Sequence, residues 1–202
     1  PLSVNLDLGL RGRRSQFQAG VSVLDKITKG NVHLSYYENS VSETLIDLED
    51  VVSHTVMGPH PAGNVGIHIH HIAPLGSNDH VWVINAQDVL RIGNFFLTGE
   101  LDISLIITLG GPSVLNPAHI KSRLGTPISS HIENNVKDGD HRIISGDVLT
   151  GTKIDYNDFL GFYDSSIAVL PEGGEREFIG MLRPGTAMSR YSLTNAFLGT
   201  LK

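Results

Sequence analysis

Between Gly58 and Gly66 the chain places three glycines and two prolines in nine residues, Gly-Pro-His-Pro-Ala-Gly-Asn-Val-Gly. No helix or strand runs through such a segment. Each proline lacks a backbone N–H and fixes φ near about −65°, and each glycine admits backbone shapes closed to other residues. Regular structure must therefore be assembled separately on either side of it. At 202 residues the chain is long enough for one large domain or two small ones.

Just past this break the composition changes. Ile67, Ile69 and Ile72 interleave with histidines, so that four of the ten histidines (His60, His68, His70 and His71) lie between Gly58 and Ile72. The alternation over 67–70 has the period of a strand and predicts His68 and His70 on one face. Neutral imidazoles so placed can face a single metal ion. With no cysteine in the chain and no Asp or Glu inside the stretch, a zinc set is not completed, and no metal is expected. His60, His68 and His70 are read instead as contacts to a ligand or to a neighbouring domain. The stretch is expected to be an ordered connector, its prolines lowering the entropy lost on ordering. His68 and His70 should then be buried, neutral and hydrogen-bonded across the boundary.

Upstream, residues 1–37 suggest a strand–helix–strand unit. Ser15 can cap a helix over 16–28 that presents Phe17, Val21, Leu24 and Ile27 on one face. Gly30 ends it, and 31–37, rich in strand formers, follows as a strand holding His33 at its surface. No Gly-x-Gly-x-x-Gly follows any strand, so a dinucleotide loop is not expected. Residues 38–57, with Glu43, Asp47, Glu49 and Asp50, read as a solvated acidic linker.

Downstream, the only tryptophan lies in the apolar run Val81-Trp82-Val83-Ile84 and is expected in a core. Asn85 opens a helix to about Leu97 with Val89, Ile92 and Phe96 inward, flanked by Leu90 and Phe95. Ile103–Leu109 is a buried strand broken by Gly110-Gly-Pro112, with a further short strand near Val114. After the turn at Asn116-Pro117, Ala118–Leu124 is its hairpin partner. Thr126-Pro127 starts a helix to about Asn134, and Arg142–Ser145 returns as a strand. That order is the β-grasp order. Residues 151–202 are β-rich, with apolar runs at 159–163 and 167–170. A Gly-Gly hairpin turn leads into 177–182, a turn at Pro184-Gly185 follows, and 189–194 is a helix or strand.

Nucleophilic catalysis would draw on Ser129, Ser130 and His131, but no Gly-x-Ser-x-Gly elbow is present, and no catalytic residue is assigned. A net charge of −6, with basic residues clustered only at Arg11, Arg13 and Arg14, argues against nucleic acid. Without cysteine there is no disulfide and no thiolate-held iron–sulfur cluster. No apolar run approaches the roughly 20 residues of a membrane helix, and there is no signal peptide, so the segment reads as soluble.

Five elements occur in an order that carries a resemblance: Gly58-Pro-His-Pro-Ala-Gly63, then Gly66-Ile-His-Ile69, Ile84-Asn-Ala-Gln-Asp-Val89, Ile144-Ser-Gly-Asp-Val-Leu-Thr-Gly151 and Val169-Leu-Pro-Glu-Gly173. Together they resemble the A subunit (NqrA) of the bacterial sodium-translocating NADH:quinone oxidoreductases, over most of the chain. The family's polypeptide is about twice this long, and with its start at Pro1 the chain is expected to be an excised fragment. The implied fold class is α/β (α+β). Residues 1–57 form a partial nucleotide-binding-like, Rossmann-like domain and 58–100 a connector with strand and helix. Residues 101–150 form a β-grasp domain of the soluble-ligand-binding type (SLBB-like), and 151–202 a truncated β-rich segment. The β-grasp unit also looks like that of the complex I flavoprotein subunit, but without its Gly-rich nucleotide loop and cluster cysteines.

The resemblance implies an extrinsic, quinone-associated protein on the cytoplasmic face of the bacterial inner membrane, in a complex coupling NADH oxidation and quinone reduction to sodium export. NADH, FAD, FMN and Fe-S belong to partner subunits. The fragment itself binds no cofactor and is not catalytic, and ubiquinone is possible in the full-length polypeptide. The imidazoles of His60, His68 and His70, or the Tyr163 hydroxyl, suit the carbonyl oxygens of a quinone. The alternative is a free-standing β-grasp ligand-binding or interaction module with no respiratory role.

Overall fold

The computed structural model describes residues 4–59 and 61–173, and two hydrophobic cores divide it. The first belongs to an α/β unit. Asn5 caps the short helix α1 (Leu6–Leu10) by accepting the Asp7 N–H. Residues expected to begin with a strand are therefore helical. Helix α2 (Arg14–Ile27) follows, starting earlier than a Ser15 cap would allow, and the Ser15 hydroxyl turns to Gln16 instead. Phe17 and Val21 are buried with Leu24 against the same core, while Ile27 is exposed.

Strands β1 (His33–Tyr37) and β2 (Val52–Val56) pair in parallel. The acidic stretch between them is not a solvated linker. Leu45 and Thr44 are buried, and Thr44 donates to the Leu10 carbonyl. Helix α2 holds the loop from outside: Arg14 donates to the Glu43 and Asp47 carbonyls, and the Gln18 side chain bonds both the N–H and the carbonyl of Glu49. Polar side chains face water while the backbone and Leu45 are fixed.

Residues 67–70, whose alternation has the period of a strand, lie inside helix α3 (Val65–Ile72). Four alternating residues fit a helix as well, with Val65, Ile69 and Ile72 spaced for one side. No residue of α3 is buried. The run 81–84 follows with no regular structure, and Trp82 is 96 % exposed instead of sitting in a core.

Helix α4 (Ala86–Thr98) then lies directly on α2. Its inner face is Val89, Leu90 and Gly93; Phe95 and Phe96, placed on or beside that face by spacing alone, are exposed. Glycine is what shifts the face. A Cβ on Gly93 would lie 2.6 Å from Gly20 N and closer still to the Gln16 carbonyl oxygen; one on Gly20 would lie 2.8 Å from Val89 Cγ1. The two helices meet backbone to backbone, and no side chain fits between them.

The second core fills a five-stranded sheet in the order β4-β3-β7-β5-β6, made of β3 (Ser104–Gly110), β4 (Ala118–Arg123), β5 (His141–Ser145), β6 (Thr152–Ile154) and β7 (Ser166–Pro171). In this sheet the β3–β7 pair is parallel and the others antiparallel. This is the β-grasp arrangement. Its middle strand β7 comes from beyond residue 150, so the sheet draws on the segment read as a separate β-rich tail. Leu105, Ile107 and Leu109 alternate onto the face covered by Ile128 and Ile132, at the single-turn helix α5 (Ser129–Ile132). That helix is shorter than expected. Thr126 turns its hydroxyl to the Arg123 carbonyl instead of capping, and Asn134 takes a left-handed φ of 58°. The strand expected near Val114 is a lone bridge to Val136. The elements expected over 174–202 lie outside the described residues.

Helix α4 joins the units through its second face. Strand β7 pairs with β3 only from Thr108 onward, leaving Ile106 without a strand neighbour on that side. The Gln87 amide takes that place, donating to the Ile106 carbonyl (2.9 Å) and accepting its N–H (2.8 Å). One turn later Arg91 Nε donates to the Asp102 carbonyl at 2.9 Å.

Replacing Gly93 with Ala is expected to destabilise the protein by about 3 kcal/mol or more, since either helix must move. The same change at Gly66 of α3, where a Cβ meets nothing within 4 Å, should stabilise by up to about 1 kcal/mol through helix propensity. Urea unfolding of both variants checks the opposite signs. A second expectation concerns pH. Burial lowers the pKa of His131, whose Nε2 shares a 2.8 Å hydrogen bond with the Ser122 hydroxyl. As pH falls below the ordinary histidine value of 6.5, the unfolded chain takes up this proton first. The contribution is therefore complete above that pH and is lost on the way down to the lower folded value. In unfolding curves run from about pH 7.5 to 5, His131→Gln should flatten part of the wild-type decline.

Candidate functional site

Two places gather chemistry, and they are separate. The first is the cleft where the α/β unit meets the sheet, about 230 Å³ in volume. Arg11 and Arg13 enter from the turn between α1 and α2, Arg91 from α4 and Lys121 from β4, around the single carboxylate of Asp102. Four cationic groups against one anionic group give a local excess of positive charge in a chain whose net charge is −6. Much of that charge is committed to structure. Arg91 pairs with Asp88 one turn earlier, and Arg13 Nη1 stands 3.5 Å from Asp102 Oδ2. Burial pushes the Asp102 carboxyl upward, but the Ser104 hydrogen bonds and the charges of Arg13 and Arg91 outweigh it and hold the group below its ordinary value. The Ser104 N–H donates to Asp102 Oδ1 at 2.9 Å. Among the described residues, Arg91 Nη2 is buried without a partner. The cleft offers N–H donors suited to oxygen acceptors, and a further hollow of about 600 Å³ shares Asp102, Ser104 and Lys121 with it.

The second place is the histidine segment. His68 sits half-buried on α3 and donates from Nε2 to the Ala62 carbonyl at 2.7 Å, closing the turn that precedes its own helix. Its bond is thus local and does not cross a domain boundary. His70 is exposed, its ring edge-to-face with that of His71 at 5.2 Å between centroids. The helical backbone separates His68 and His70 by two positions, about 200° around the axis, so they do not share a face. His60 lies outside the described residues. Among the described residues no group of three His, Asp or Glu side chains is placed to hold a metal ion.

The remaining candidates are dispersed. Ser129 and Ser130 do not engage His131, which bonds Ser122 from the neighbouring strand, and Ser130 turns to the Pro127 carbonyl. Tyr163 stands on an exposed loop. His33 meets His54 across β1 and β2, with Nδ1 and Nε2 3.0 Å apart; burial, and then the His33 charge, lower the His54 pKa. Sequence reasoning assigned no role to Gln87 or Asp102. Gln87 lies inside the Ile84–Val89 motif, a signal of importance but not of chemistry. The hydrogen-bonded turn at Asp147 had a readable cue in the Asp-x-x-Thr spacing, since the Asp147 carboxylate accepts the Thr150 hydroxyl and the N–H groups of Leu149 and Thr150.

Comparison with known proteins bears on the whole chain. Residues 1–101 match the family described as NqrA second alpha/beta domain, and residues 106–155 match that described as NQRA C-terminal domain. The A subunit of the Na(+)-translocating NADH-quinone reductase of Pasteurella multocida (strain Pm70) is 41 % identical over 201 residues, covering 98 % of this chain and 44 % of the relative. Its counterpart in Histophilus somni (strain 2336) is 40 % identical over 200 residues, with the same coverage. That of Rhodopirellula baltica is 39 % identical over 203 residues, covering 100 % of this chain and 44 % of its own length. The chain spans less than half the length of these relatives. The two family matches follow the division into two cores, the first falling on the α/β unit and the second on the sheet, and the chain belongs to the NqrA family.

Proposed function

We propose that the chain is the central part of the NqrA polypeptide of a sodium-translocating NADH:quinone reductase, where it positions and docks and performs no redox chemistry itself. The observation that carries this reading is the match of both units, in order, to NqrA domains, within relatives named as that component. The complex would oxidise NADH, reduce ubiquinone and export sodium. NADH, FAD, FMN and Fe-S would be held by partner subunits. A peripheral position on the cytoplasmic face of the inner membrane belongs to the same reading. None of the described helices is long and apolar enough to cross a membrane. Because Gln87 and Arg91 fasten the sheet to the α/β unit, the β-grasp part serves as one half of a joined pair. That arrangement disfavours the free-standing module.

Within this reading, His60, His68 and His70 are the candidates for a contact with quinone or between domains. Helix α3 has no buried residue; it carries three isoleucines and three histidines over 65–72, with Val65 and Ile67 exposed and Ile69 and Ile72 partly so. His68 is spent on Ala62, which leaves the exposed His70 as the freer donor. The experiment is a genetic one: delete the polypeptide carrying this chain and assay sodium-stimulated NADH:quinone reduction in inverted membrane vesicles. Loss of activity, restored by the wild-type copy, is expected. An undiminished sodium-dependent rate would overturn the reading.

A further inference from the structure

We propose that the loops at the end of the sheet where β5 stops and β7 starts form a protein-docking surface, whose partner presents an apolar pocket flanked by Lys and Arg. The proposal rests on the reading of the chain as part of a multisubunit complex.

Two loops meet there, each lifting two apolar side chains into solvent. Leu149 is 88 % exposed and Tyr163 80 %, with Val148 and Phe162 beside them. The Phe162 and Tyr163 rings stack edge to face, 5.0 Å between centroids. Such side chains normally retreat from water, yet here the backbone holds them out. The Ser145 hydroxyl donates to Asp164 Oδ2 at 2.5 Å and accepts the Gly161 N–H at 2.9 Å, and the Asp164 N–H closes on the Gly161 carbonyl at 3.0 Å. In the other loop the Asp147 carboxylate accepts the Leu149 and Thr150 N–H groups at 2.7 and 3.0 Å. The loops lean on each other: a Cβ at Gly146 would come within 3.1 Å of Asp164 Oδ1. Both tips are therefore ordered before a partner arrives, which removes much of the entropic cost of binding. A fixed, exposed Tyr of this kind is a usual hot spot of protein interfaces, and the apolar side chains around it exclude water.

Charge selects the partner. Each loop carries one carboxylate, Asp147 and Asp164, and among the described residues no Lys or Arg pairs with either. Carboxylates so placed repel an anionic lipid surface and attract a basic protein rim.

The test uses the full-length NqrA polypeptide carrying Leu149→Asp together with Tyr163→Ser, expressed with the other subunits and recovered through a tag on one of them after mild detergent extraction. The wild-type polypeptide should be recovered with the complex. The double variant should be recovered at least about tenfold less, as expected for loss of a hot spot, with an unchanged melting temperature when isolated. Leu149→Met with Tyr163→Phe should restore recovery. In a second arm, Asp147→Asn, whose amide oxygen can still accept the Leu149 and Thr150 N–H groups, should weaken the salt dependence of recovery without touching an apolar contact. Full recovery of the double variant overturns the proposal, as does an unchanged salt dependence in Asp147→Asn. Tyr163-dependent sedimentation with phosphatidylglycerol vesicles would replace the partner by a membrane, and Leu149-dependent dimerisation would replace it by a second copy; either overturns it. Failure of the wild-type polypeptide to join the complex overturns the underlying functional reading as well.

Discussion

The backbone approach of α2 and α4 at Gly20 and Gly93 sets the position of every group on α4 that joins the two units. A helix seated this closely has little rotational freedom, because any side chain at either crossing point would strike a carbonyl oxygen or a peptide nitrogen. With Val89, Leu90 and Gly93 turned to α2, Gln87 and Arg91 point to the sheet, and they reach Ile106 and Asp102. Gln87 then completes the hydrogen bonding of a strand that β7 leaves partly unpaired. A buried strand edge without such a partner would leave two backbone groups desolvated, at about 1–3 kcal/mol each. The helix crossing and the strand edge thus solve one another's problem.

Where local chemistry decides the outcome, the sequence was readable. Ile103–Leu109 is apolar, bounded and rich in isoleucine, and it supplies an inner strand of its sheet; Ala118–Arg123 pairs with it, and the β-grasp order follows. Helix α4 was readable as a helix and its inner face in part: Val89 and, beside it, Leu90 are buried as expected, while Phe96 is exposed. Apolar spacing favours Ile92 and Phe96, whereas the actual face is chosen by a glycine that hydrophobic patterns score as nothing. The stretch 67–70 failed for a related reason, since four alternating residues cannot separate a strand from one turn of helix. Residues 38–57 looked like a solvated linker because most of their polar and charged side chains can face water, yet Leu45 is buried and 52–56 is strand β2. The roles of Gln87 and Asp102 depend on contacts distant in sequence, and no spacing announces them.

Function was legible in a different way. The ordered motifs indicated the family, and the family matches agree with them. Of the chosen site residues, His68 is occupied by a local turn and His70 faces solvent. The molecule presents committed charges at its junction and uncommitted apolar groups at α3, at Trp82 and at the loops around Leu149 and Tyr163. This is the distribution expected of a piece that is rigid within itself and completed by neighbours.

The most direct measurement compares amide hydrogen exchange of the isolated NqrA polypeptide with that of the same polypeptide in the assembled complex. Exchange should slow on assembly along α3 and in the loops at 147–150 and 161–164, with exchange in α4 and β3 unchanged. Unaltered exchange in α3 and both loops, or protection that appears only in α4 and β3, would contradict a rigid core completed by its neighbours.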